Sequence, residues 1–358
     1  MKSLGKLFRL IVPAVAAIAL YKAFAPGRTP AISTANGVAS LEQVSLGGVK
    51  QWILIRGEDA SNPILLFLHG GPGTPVMPVA HYFGHRLEQR FVVVHWDQRG
   101  SGKSYSPAIP EQSLTIEQLL SDTLELVELL RARFGAERVY VIGHSWGTVL
   151  GVMAVQRHPE LFYAYVGMGQ VTDEHRSEHI GLNYVRDRAR ELGNQQALRE
   201  LAGLEPPYLD NPKNAALQRK WLSTFGGNFH EGQSLPLLSD LDRRWVWSAL
   251  RSPEYSWLDL IRHQLGYGRV RWALFHQFKQ VNFMRTAARL DVPVYFFMGR
   301  HDHNKHPELV NEYYEMLEAP CGKHMIWFDR SAHSPCMEEP EEFADAMISR
   351  VLEETYPQ

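Results

Sequence analysis

The chain has 358 residues, of which 45% are hydrophobic and 21% are charged, so it is too apolar to be a disordered chain. Its 37 lysines and arginines against 39 aspartates and glutamates give a formal charge of −2, which argues against a basic surface for nucleic acid. Its two cysteines exclude both a disulfide-stapled scaffold and a four-cysteine zinc site. We therefore expect a protein folded around a large core, with no nucleic-acid partner.

Residues 1–36 are predicted to be a targeting or membrane segment followed by a linker. Basic residues precede the apolar run Leu10–Tyr21, which is about half of the roughly 20 residues that cross a bilayer as a helix. Ala23-Phe24-Ala25 then offers the small-x-small pattern that signal peptidase cuts. Export to the extracytoplasmic side is the first interpretation, and an uncut membrane anchor over residues 4–25 is the second. A buried helix of a cytoplasmic protein is the third, and residues 26–36 are predicted to be the linker.

The body of the chain begins with two β-biased segments, Val38–Leu46 and Val49–Gly57, joined by Gly47-Gly48 as a tight turn. Short runs that are apolar at nearly every position follow, which is typical of parallel strands covered on both faces. These runs are Ile64–Leu68, Phe91–Trp96, Val139–Gly143, Val294–Met298 and Met325–Phe328. Helical patterns lie at Thr115–Phe134, with Gly135 as the stop, and at 148–158, about 307–317 and about 340–354. The alternation predicts an α/β fold, with a mostly parallel central sheet and helices on both faces.

Strand patterns stop between about 170 and 289, and this stretch is predicted to be a helical insertion over the carboxyl edge of the sheet. The chain then divides into a first half of the core at 37–169, a cap insertion at 170–289, and a second half of the core at 290–358. Five of the nine tryptophans lie in the cap: Trp221, Trp245, Trp247, Trp257 and Trp272. We expect them to form the core of the cap, or else to line an apolar substrate pocket.

A G-x-S-x-G pattern, Gly143-His144-Ser145-Trp146-Gly147, lies between a predicted buried strand and a predicted helix. A sharp turn at such a junction leaves little room for side chains beside the serine and projects its hydroxyl above the sheet. The context therefore predicts that Ser145 is a nucleophile.

A serine hydroxyl needs a base to take its proton, and the base needs a carboxylate to orient it and to stabilise its charge. Loops that follow parallel strands meet at one edge of the sheet, so the partners of Ser145 should follow later strands. His333 follows the strand at 325–328 and is the predicted base, whereas His324 precedes that strand. Asp302 follows the strand at 294–298 and is the predicted acid, with Asp329 as its competitor.

The negative charge of a tetrahedral intermediate needs donors that already point toward it. The backbone N–H of Trp146, directly after the serine, and that of Gly71, in the loop His69-Gly70-Gly71-Pro72-Gly73, are the predicted oxyanion-hole donors. Pro72 has no N–H to offer.

Two further patterns do not predict a cofactor or a metal. Gly100-Ser101-Gly102-Lys103-Ser104 ends like a phosphate-binding loop, but Asp97 stands where that motif requires glycine. His301, His303 and His306 surround the predicted acid without a cysteine or carboxylate cluster to complete a ligand set. The sequence therefore predicts an enzyme without cofactor or metal.

Taken together, HGGPG at 69–73, WDQRGSGKS at 96–104, GHSWG at 143–147, GRHD at 299–302 and the His333 loop (SAHSPCMEEP) closely resemble the proline iminopeptidase branch of the α/β-hydrolase superfamily. The resemblance spans roughly residues 38–170 and 290–355. It implies the α/β-hydrolase fold, a triad of Ser145, Asp302 and His333, and an oxyanion side of the pocket at His69 and Gly70 that contacts the substrate.

Members of this branch remove an N-terminal residue and use acidic cap residues to hold the free amine of the substrate. The W-x-x-W-E pattern that supplies one such glutamate is absent, because Trp245-Val246-Trp247-Ser248-Ala249 has no acid at that place. Glu174 and Trp245 are the candidate substrate contacts in the cap. Other candidate acids are Asp173, Glu231 and Glu254.

The first functional hypothesis is a serine hydrolase that acts on an amide bond through an acyl-enzyme, in the manner of a proline iminopeptidase. Its substrate would be a small molecule or a short peptide. The alternatives are a carboxylesterase or lipase-like hydrolase of an apolar ester, and a non-catalytic binding protein of the same fold. The sequence leaves the oligomeric state open.

Overall fold

The computed structural model describes Lys22 and residues 27–209, 211–230 and 240–357, and it describes no side chain within 240–245. The predicted anchor over residues 4–25 therefore lies outside the described residues, apart from Lys22. Within the described ranges, no helix combines the length and apolar character needed to cross a bilayer.

The described chain contains an eight-stranded sheet. Its strands are β1 (Val38–Leu46), β2 (Val49–Gly57), β3 (Ile64–Leu68), β4 (Val92–Asp97), β5 (Val139–His144), β6 (Phe162–Met168), β7 (Val294–Gly299) and β8 (Lys323–Phe328). Their order in space is β1-β2-β4-β3-β5-β6-β7-β8. β1, β2 and β4 pair antiparallel, and all later neighbours are parallel. The predicted mostly parallel sheet and its opening hairpin are confirmed.

Helices connect and cover these strands. They are α1 (Ala80–Phe83), α2 (His85–Glu88), α3 (Ile116–Phe134), α4 (Gly147–Arg157), α5 (Glu174–Glu191), α6 (Gln195–Leu201), α7 (Pro212–Thr224), α8 (Asp240–Arg251), α9 (Trp257–Lys279), α10 (Phe283–Thr286), α11 (Pro307–Met316), α12 (Pro335–Glu338), α13 (Pro340–Ala346) and α14 (Glu353–Thr355). Single 3-10 turns lie at Met77–Val79, Gly102–Ser104, Glu111–Ser113 and Pro159–Leu161.

Both faces of the sheet are buried, as the continuous apolar strands predict. In β3, Ile64 and Leu66 belong to one hydrophobic cluster, together with apolar residues of α3, α4 and α11. Leu65 and Phe67 belong to a second cluster with residues of α1, α2 and α13. Because successive side chains of a strand point to opposite faces, the two clusters cover opposite sides of the sheet.

The signals that bound α3 act as predicted. Thr115 is its N-cap, and the Thr115 Oγ1 accepts the backbone N–H of Gln118 at 3.1 Å. Gly135 ends the helix with a φ of 63°, a conformation that glycine adopts without steric cost. The apolar face between these ends packs into the core.

Two elements differ from the sequence expectations. The sequence analysis does not predict β6, because Ala164 and Gly167, which are depleted in strands, interrupt its strand-forming Phe, Tyr and Val residues, and the strand directly follows a 3-10 turn. The single helix expected over 340–354 contains a π-helical turn at Met347–Leu352 between α13 and α14.

The segment between β6 and β7 holds α5–α10, and its described part contains no strand of the sheet. The predicted cap boundaries, 170 and 289, lie in the loops at either end. α5, α6 and α7 share a hydrophobic core of their own, to which Trp221 and Phe225 contribute. These three helices therefore have packing of their own, whereas Val270, Leu274 and Phe278 of α9 belong to one of the clusters that cover the sheet.

The expectation that the cap tryptophans form a core or line a pocket is wrong for three of them. Trp247, Trp257 and Trp272 are exposed, by 58%, 38% and 66%. For Trp257 and Trp272 the reason is that α9 buries its opposite face, including Val270, Leu274 and Phe278, against the rest of the protein. The side chain of Trp245 lies outside the described residues.

The segment after residue 26 is fixed beside the cap. The backbone N–H of Arg28 donates to the carbonyl oxygen of Pro253 at 2.9 Å, in the turn between α8 and α9. Arg56 of β2 donates to Thr29 Oγ1 at 2.6 Å and to the carbonyl oxygen of Pro30 at 2.7 Å. The predicted linker thus begins against the turn from which α9 emerges.

Candidate active site

Ser145 lies in the tight turn between β5 and α4. Its φ is 52°, a left-handed conformation that costs a non-glycine residue free energy and is maintained only when the surroundings enforce it. Its backbone N–H donates to the carbonyl oxygen of Met168 at 2.8 Å, which ties the turn to the end of β6. The strained turn predicted from the G-x-S-x-G pattern is therefore present.

The flanking glycines are required by close backbone packing. A Cβ at Gly147 would overlap the carbonyl oxygens of Leu68 and His69, and a Cβ at Gly143 would overlap the carbonyl group of Gly147. The obstacles are main-chain atoms, which cannot move aside as a flexible side chain would. The sequence pattern thus follows from the space available around the serine.

We expect the substitution Gly147→Ala to lower the free energy of unfolding by about 1–3 kcal/mol, because the new methyl group overpacks a rigid site. Urea denaturation of both proteins measures this difference. The matched control is Gly268→Ala in α9, where an added Cβ meets nothing within 4 Å. That control should be neutral or stabilising, since alanine favours helix more than glycine does. Equal stability of Gly147→Ala and the wild type would contradict the packing argument.

Asp302 and His333 follow β7 and β8, and they contact each other. His333 Nδ1 lies 2.8 Å from Asp302 Oδ2. The other carboxylate oxygen of Asp302 accepts the backbone N–H groups of Asn304 at 2.8 Å and Lys305 at 2.9 Å. Burial alone would raise the pKa of Asp302, but His333 and these donors outweigh it and lower the pKa to about 2. An ionised Asp302 places the proton on Nδ1 and leaves His333 Nε2 free to accept one.

Asp329, the competing acid, lies on the surface. Its carboxylate is exposed and pairs with Arg300, whereas Asp302 is fully buried. Position at the end of a strand is therefore not sufficient to identify the acid, and the bond to His333 distinguishes the two.

The loop that carries His333 is supported by two further side chains, Glu338 and His144. Glu338 accepts the backbone N–H of Ala332 at 2.9 Å, and His144 Nε2 lies 3.0 Å from the carbonyl oxygen of His333. Burial lowers the pKa of His144 to about 3, so this ring is neutral and serves to pack the loop. The nearby His333 backbone N–H donates to the carbonyl oxygen of Asn228 at 3.1 Å, which joins the loop to the cap. Glu338 could have been found from the sequence, because it lies in the SAHSPCMEEP segment five residues after His333.

Ser145 and His333 line one cavity. Among the described residues, Ser145 Oγ has no hydrogen-bond partner within 3.5 Å, so the bond between the serine and the imidazole is not formed in this conformation. Serine–histidine contacts in hydrolases often tighten only when substrate binds. The other links, from His333 to Asp302 and from Asp302 to the backbone, are already in place.

Of the two predicted oxyanion donors, Gly71 lines the same cavity as Ser145, and Trp146 directly follows Ser145 in the sequence. Gly71 has a φ of 121°, which only glycine adopts readily. Within the described chain, neither backbone N–H has a protein acceptor. A pair of unused donors beside the serine is suited to receiving a developing negative charge.

His69 is the first residue of the loop that carries Gly71, and Gly70 lies at the cavity wall. His69 Nδ1 lies 2.9 Å from the carbonyl oxygen of Gly70, and the backbone N–H of Gln98 donates to His69 Nε2 at 3.3 Å. Burial lowers the pKa of His69 to about 3, so the ring is neutral. Gly70 lines the cavity whereas His69 does not, so the contribution of His69 is to hold the loop.

The cavity has a volume of about 320 Å³ and lies between the sheet edge and the cap. No tryptophan side chain that the structure describes lines it, and its far wall is polar and charged. The residues of that wall are Glu174, Ser177, Glu178, Gln218, Arg219, Tyr267, Lys279, His303, Asn304, Lys305 and His306.

The candidate amine-binding acids lie in different settings. Glu174 lines the cavity, but it pairs with Lys305 and, at 3.3 Å, with Lys279. Burial opposes ionisation of Glu174, and the two lysines outweigh it and lower the pKa to about 2. Asp173 caps α5, and Glu254 pairs with His81 at 2.7 Å outside the cavity wall. Glu231 lies outside the described residues.

No three His, Cys, Asp or Glu side chains of the described ranges are grouped closely enough to hold a metal ion. Asp97 and Lys103, in the segment that resembled a phosphate loop, belong to a buried network. The backbone N–H of Lys103 donates to Asp97 Oδ2 at 2.8 Å, and Lys103 Nζ pairs with Asp259 at 2.7 Å. This segment therefore joins the sheet to α9.

Comparison with known proteins identifies relatives over most of the chain. Residues 65–346 match the model of the alpha/beta hydrolase family. The probable aminopeptidase YbaC of Bacillus subtilis is 34% identical over 315 residues, which cover 87% of this chain and 96% of the relative. The proline iminopeptidase of Neisseria gonorrhoeae is 36% identical over 109 residues, or 30% of this chain and 33% of that protein.

The fold has a counterpart among solved structures. A proline iminopeptidase-related protein from Thermus thermophilus superimposes with a TM-score of 0.60 and 20% identity, over 89% of this chain and 99% of that one. The sheet order, the strained serine turn and the family match agree with one another. The chain is a hydrolase that belongs to the alpha/beta hydrolase family, and it is similar to the proline iminopeptidase branch of that family.

Proposed function

We propose that the chain is a serine hydrolase that cleaves an amide bond of a small aminoacyl or peptide substrate, in the manner of an aminopeptidase. The observation that carries this proposal is the common cavity of Ser145, at its strained turn, and His333, bonded to a buried Asp302. The choice of an amide rests on the relatives, which are named aminopeptidase and proline iminopeptidase.

In the proposed first step, Ser145 Oγ attacks the carbonyl carbon of the substrate and its proton passes to His333 Nε2. The charge of Asp302 stabilises the imidazolium, and the N–H groups of Gly71 and Trp146 receive the negative charge of the carbonyl oxygen. His333 then gives its proton to the departing amine, which leaves an acyl-enzyme on Ser145. In the second step a water molecule, deprotonated by His333, releases the acid product.

Ester hydrolysis is the second candidate, and one observation favours it. Glu174 and Glu178, the carboxylates that line the described cavity wall, are both paired with lysines. Neither therefore has a free charge with which to bind the amine of an aminopeptidase substrate. An ester substrate needs no such carboxylate.

A direct comparison tests the choice of substrate. The full-length enzyme is assayed with prolyl and alanyl p-nitroanilides and with p-nitrophenyl butyrate and palmitate. The proposal predicts kcat/KM for an anilide at or above the values for the esters. Ester turnover with no anilide turnover would overturn the amide proposal and support the alternative.

We further propose that the chain is exported and held at a membrane by residues 4–25, with the exposed stripe of α9 against the bilayer. Trp257, Ile261 and Leu265 lie at helical spacing on one exposed face of α9, with Trp272 two turns further on. Arg28, three residues after the proposed anchor, donates its backbone N–H to Pro253 in the turn that precedes this helix. Aromatic and aliphatic side chains beside arginines are typical of surfaces that enter the headgroup region.

In a bacterial host, the full chain should remain in the membrane fraction after a carbonate wash, and added protease should reach it from the outer side. The substitutions Ile261→Ser and Leu265→Ser should leave this anchoring intact but reduce binding of the solubilised enzyme to anionic vesicles. Recovery in the cytosolic fraction would contradict both export and anchoring. A soluble, exported chain that starts after Ala25 would contradict the anchor alone.

A further inference from the structure

The charged side chains at the far wall of the cavity carry a net positive charge. Glu174 and Glu178 contribute two negative charges, and Lys279 and Lys305 contribute two positive charges. These four groups pair with one another: Lys305 with Glu174, and Lys279 with Glu174 at 3.3 Å and with Glu178 at 2.7 Å. Arg219 then adds a third positive charge to the wall.

Arg219 has no ion pair or hydrogen bond with any described residue. It comes from α7, is half-buried, and lines the same cavity as Ser145. Burial lowers its pKa, and Tyr267, Glu174 and Glu178 oppose that shift. A guanidinium nevertheless stays protonated in proteins, so Arg219 is a cation with no partner among the described residues, and it lies within reach of a ligand in the cavity.

The remaining groups of the wall do not supply the missing negative charge. Burial lowers the pKa of His303 and of His306, so both rings are neutral near pH 7. His306 Nε2 lies 3.0 Å from the carbonyl oxygen of Ser177. Asp302, behind His333, accepts hydrogen bonds from His333 and two backbone N–H groups. The wall is therefore positive where the resemblance to proline iminopeptidases led us to expect negative charge for an amine.

We propose that Arg219 binds a carboxylate of the substrate, which makes this cavity a site for small acidic aminoacyl or peptide compounds. A carboxylate matches the planar fork of a guanidinium and can accept two parallel hydrogen bonds from it. It also neutralises the excess charge of the wall, whereas an ammonium group would add to that charge. The inference rests on the proposed function only in assuming that the substrate occupies the cavity beside Ser145.

The hydroxyl of Tyr267 is a second donor for the same carboxylate. Tyr267 lines the cavity, and its oxygen accepts a hydrogen bond from Arg271, which leaves the phenolic proton to be donated. Arg219 would supply the charge and Tyr267 a neutral hydrogen bond.

The test measures binding without turnover, in a Ser145→Ala background, by titration calorimetry. Two matched pairs differ only by a carboxylate against a carboxamide. Glutamyl and glutaminyl p-nitroanilide differ on the acyl side, and Ala-Ala and Ala-Ala amide differ on the leaving side. In at least one pair we expect the carboxylate to bind about 10- to 100-fold more tightly. Adding Arg219→Gln should abolish this preference, and Arg219→Lys should retain part of it.

The exposed arginine Arg199 of α6 provides the matched control, and Arg199→Gln should leave the preference unchanged. Equal affinity within both pairs, no measurable binding of any of the four compounds, or a preference that survives Arg219→Gln would overturn the proposal. Wild-type hydrolysis of the same compounds is a separate readout. Failure to cleave them would count against amide hydrolysis, while the affinities would still decide the role of Arg219.

Discussion

Replacing Ser145 by alanine is expected to lower kcat by about a million-fold, the size of effect seen when a triad serine is removed. In the proposed mechanism this hydroxyl forms the covalent bond of the acyl-enzyme, so no neighbouring group can substitute for it. Steady-state rates with the best substrate of the panel, combined with a thermal unfolding curve, measure the loss in a folded variant.

Ser177→Ala is the matched control for this substitution. Ser177 also lines the cavity, but its hydroxyl donates to the carbonyl oxygen of Asn304 at 3.1 Å and has no part in the proposed mechanism. Its kcat should change less than tenfold. Retention of more than about a hundredth of the activity by Ser145→Ala would show that another group attacks the substrate.

Replacing Asp302 by asparagine is expected to lower kcat by about 10⁴-fold. The amide removes the negative charge that stabilises the imidazolium, and its NH₂ can donate to Nδ1 and move the proton of His333 to Nε2. His333 then presents a proton where it should accept one from Ser145. Measured kcat values for the variant and the wild type test this effect.

Asp329→Asn separates a catalytic carboxylate from a merely adjacent one. Asp329 is on the surface and pairs with Arg300, so its substitution should change kcat by less than about twofold. A large loss in Asp329→Asn together with a small loss in Asp302→Asn would reverse the assignment of the acid.

The position of the candidate site residues at one edge of the sheet could be predicted from the sequence, because strand order constrains where loops meet. Ser145 follows β5, Asp302 follows β7 and His333 follows β8, and the carboxyl ends of these parallel strands lie at the same edge of the sheet. The flanking glycines were predictable for a similar reason, since a sharp turn between a buried strand and a helix leaves space for no Cβ.

Pairing of charges in the cap was not predictable. Glu174 appears in the sequence as one acid among several, and its partners Lys279 and Lys305 lie 105 and 131 positions away. Only the packing of α5 against α9 and the loop after β7 brings them together. For the same reason the sequence could not single out Arg219. Its candidate role depends on having no charged partner among the described residues, which only the structure reveals.

The cap tryptophans illustrate a different limitation. Aromatic residues in a helical insertion are usually buried, and Trp221 follows that rule. Trp257 and Trp272 do not, because the face of α9 that packs on the core is set by neighbours from distant parts of the chain. Composition alone identifies apolar residues without specifying which face of a helix is covered.

The central claim is that Ser145 is the nucleophile. The most direct measurement treats the full-length enzyme with a fluorophosphonate, which forms a covalent bond to an activated serine, and locates the adduct by peptide mass spectrometry. We predict one adduct, on Ser145, formed in proportion to the loss of activity. An adduct on another residue, or full activity with Ser145 unmodified after exhaustive treatment, would contradict the claim.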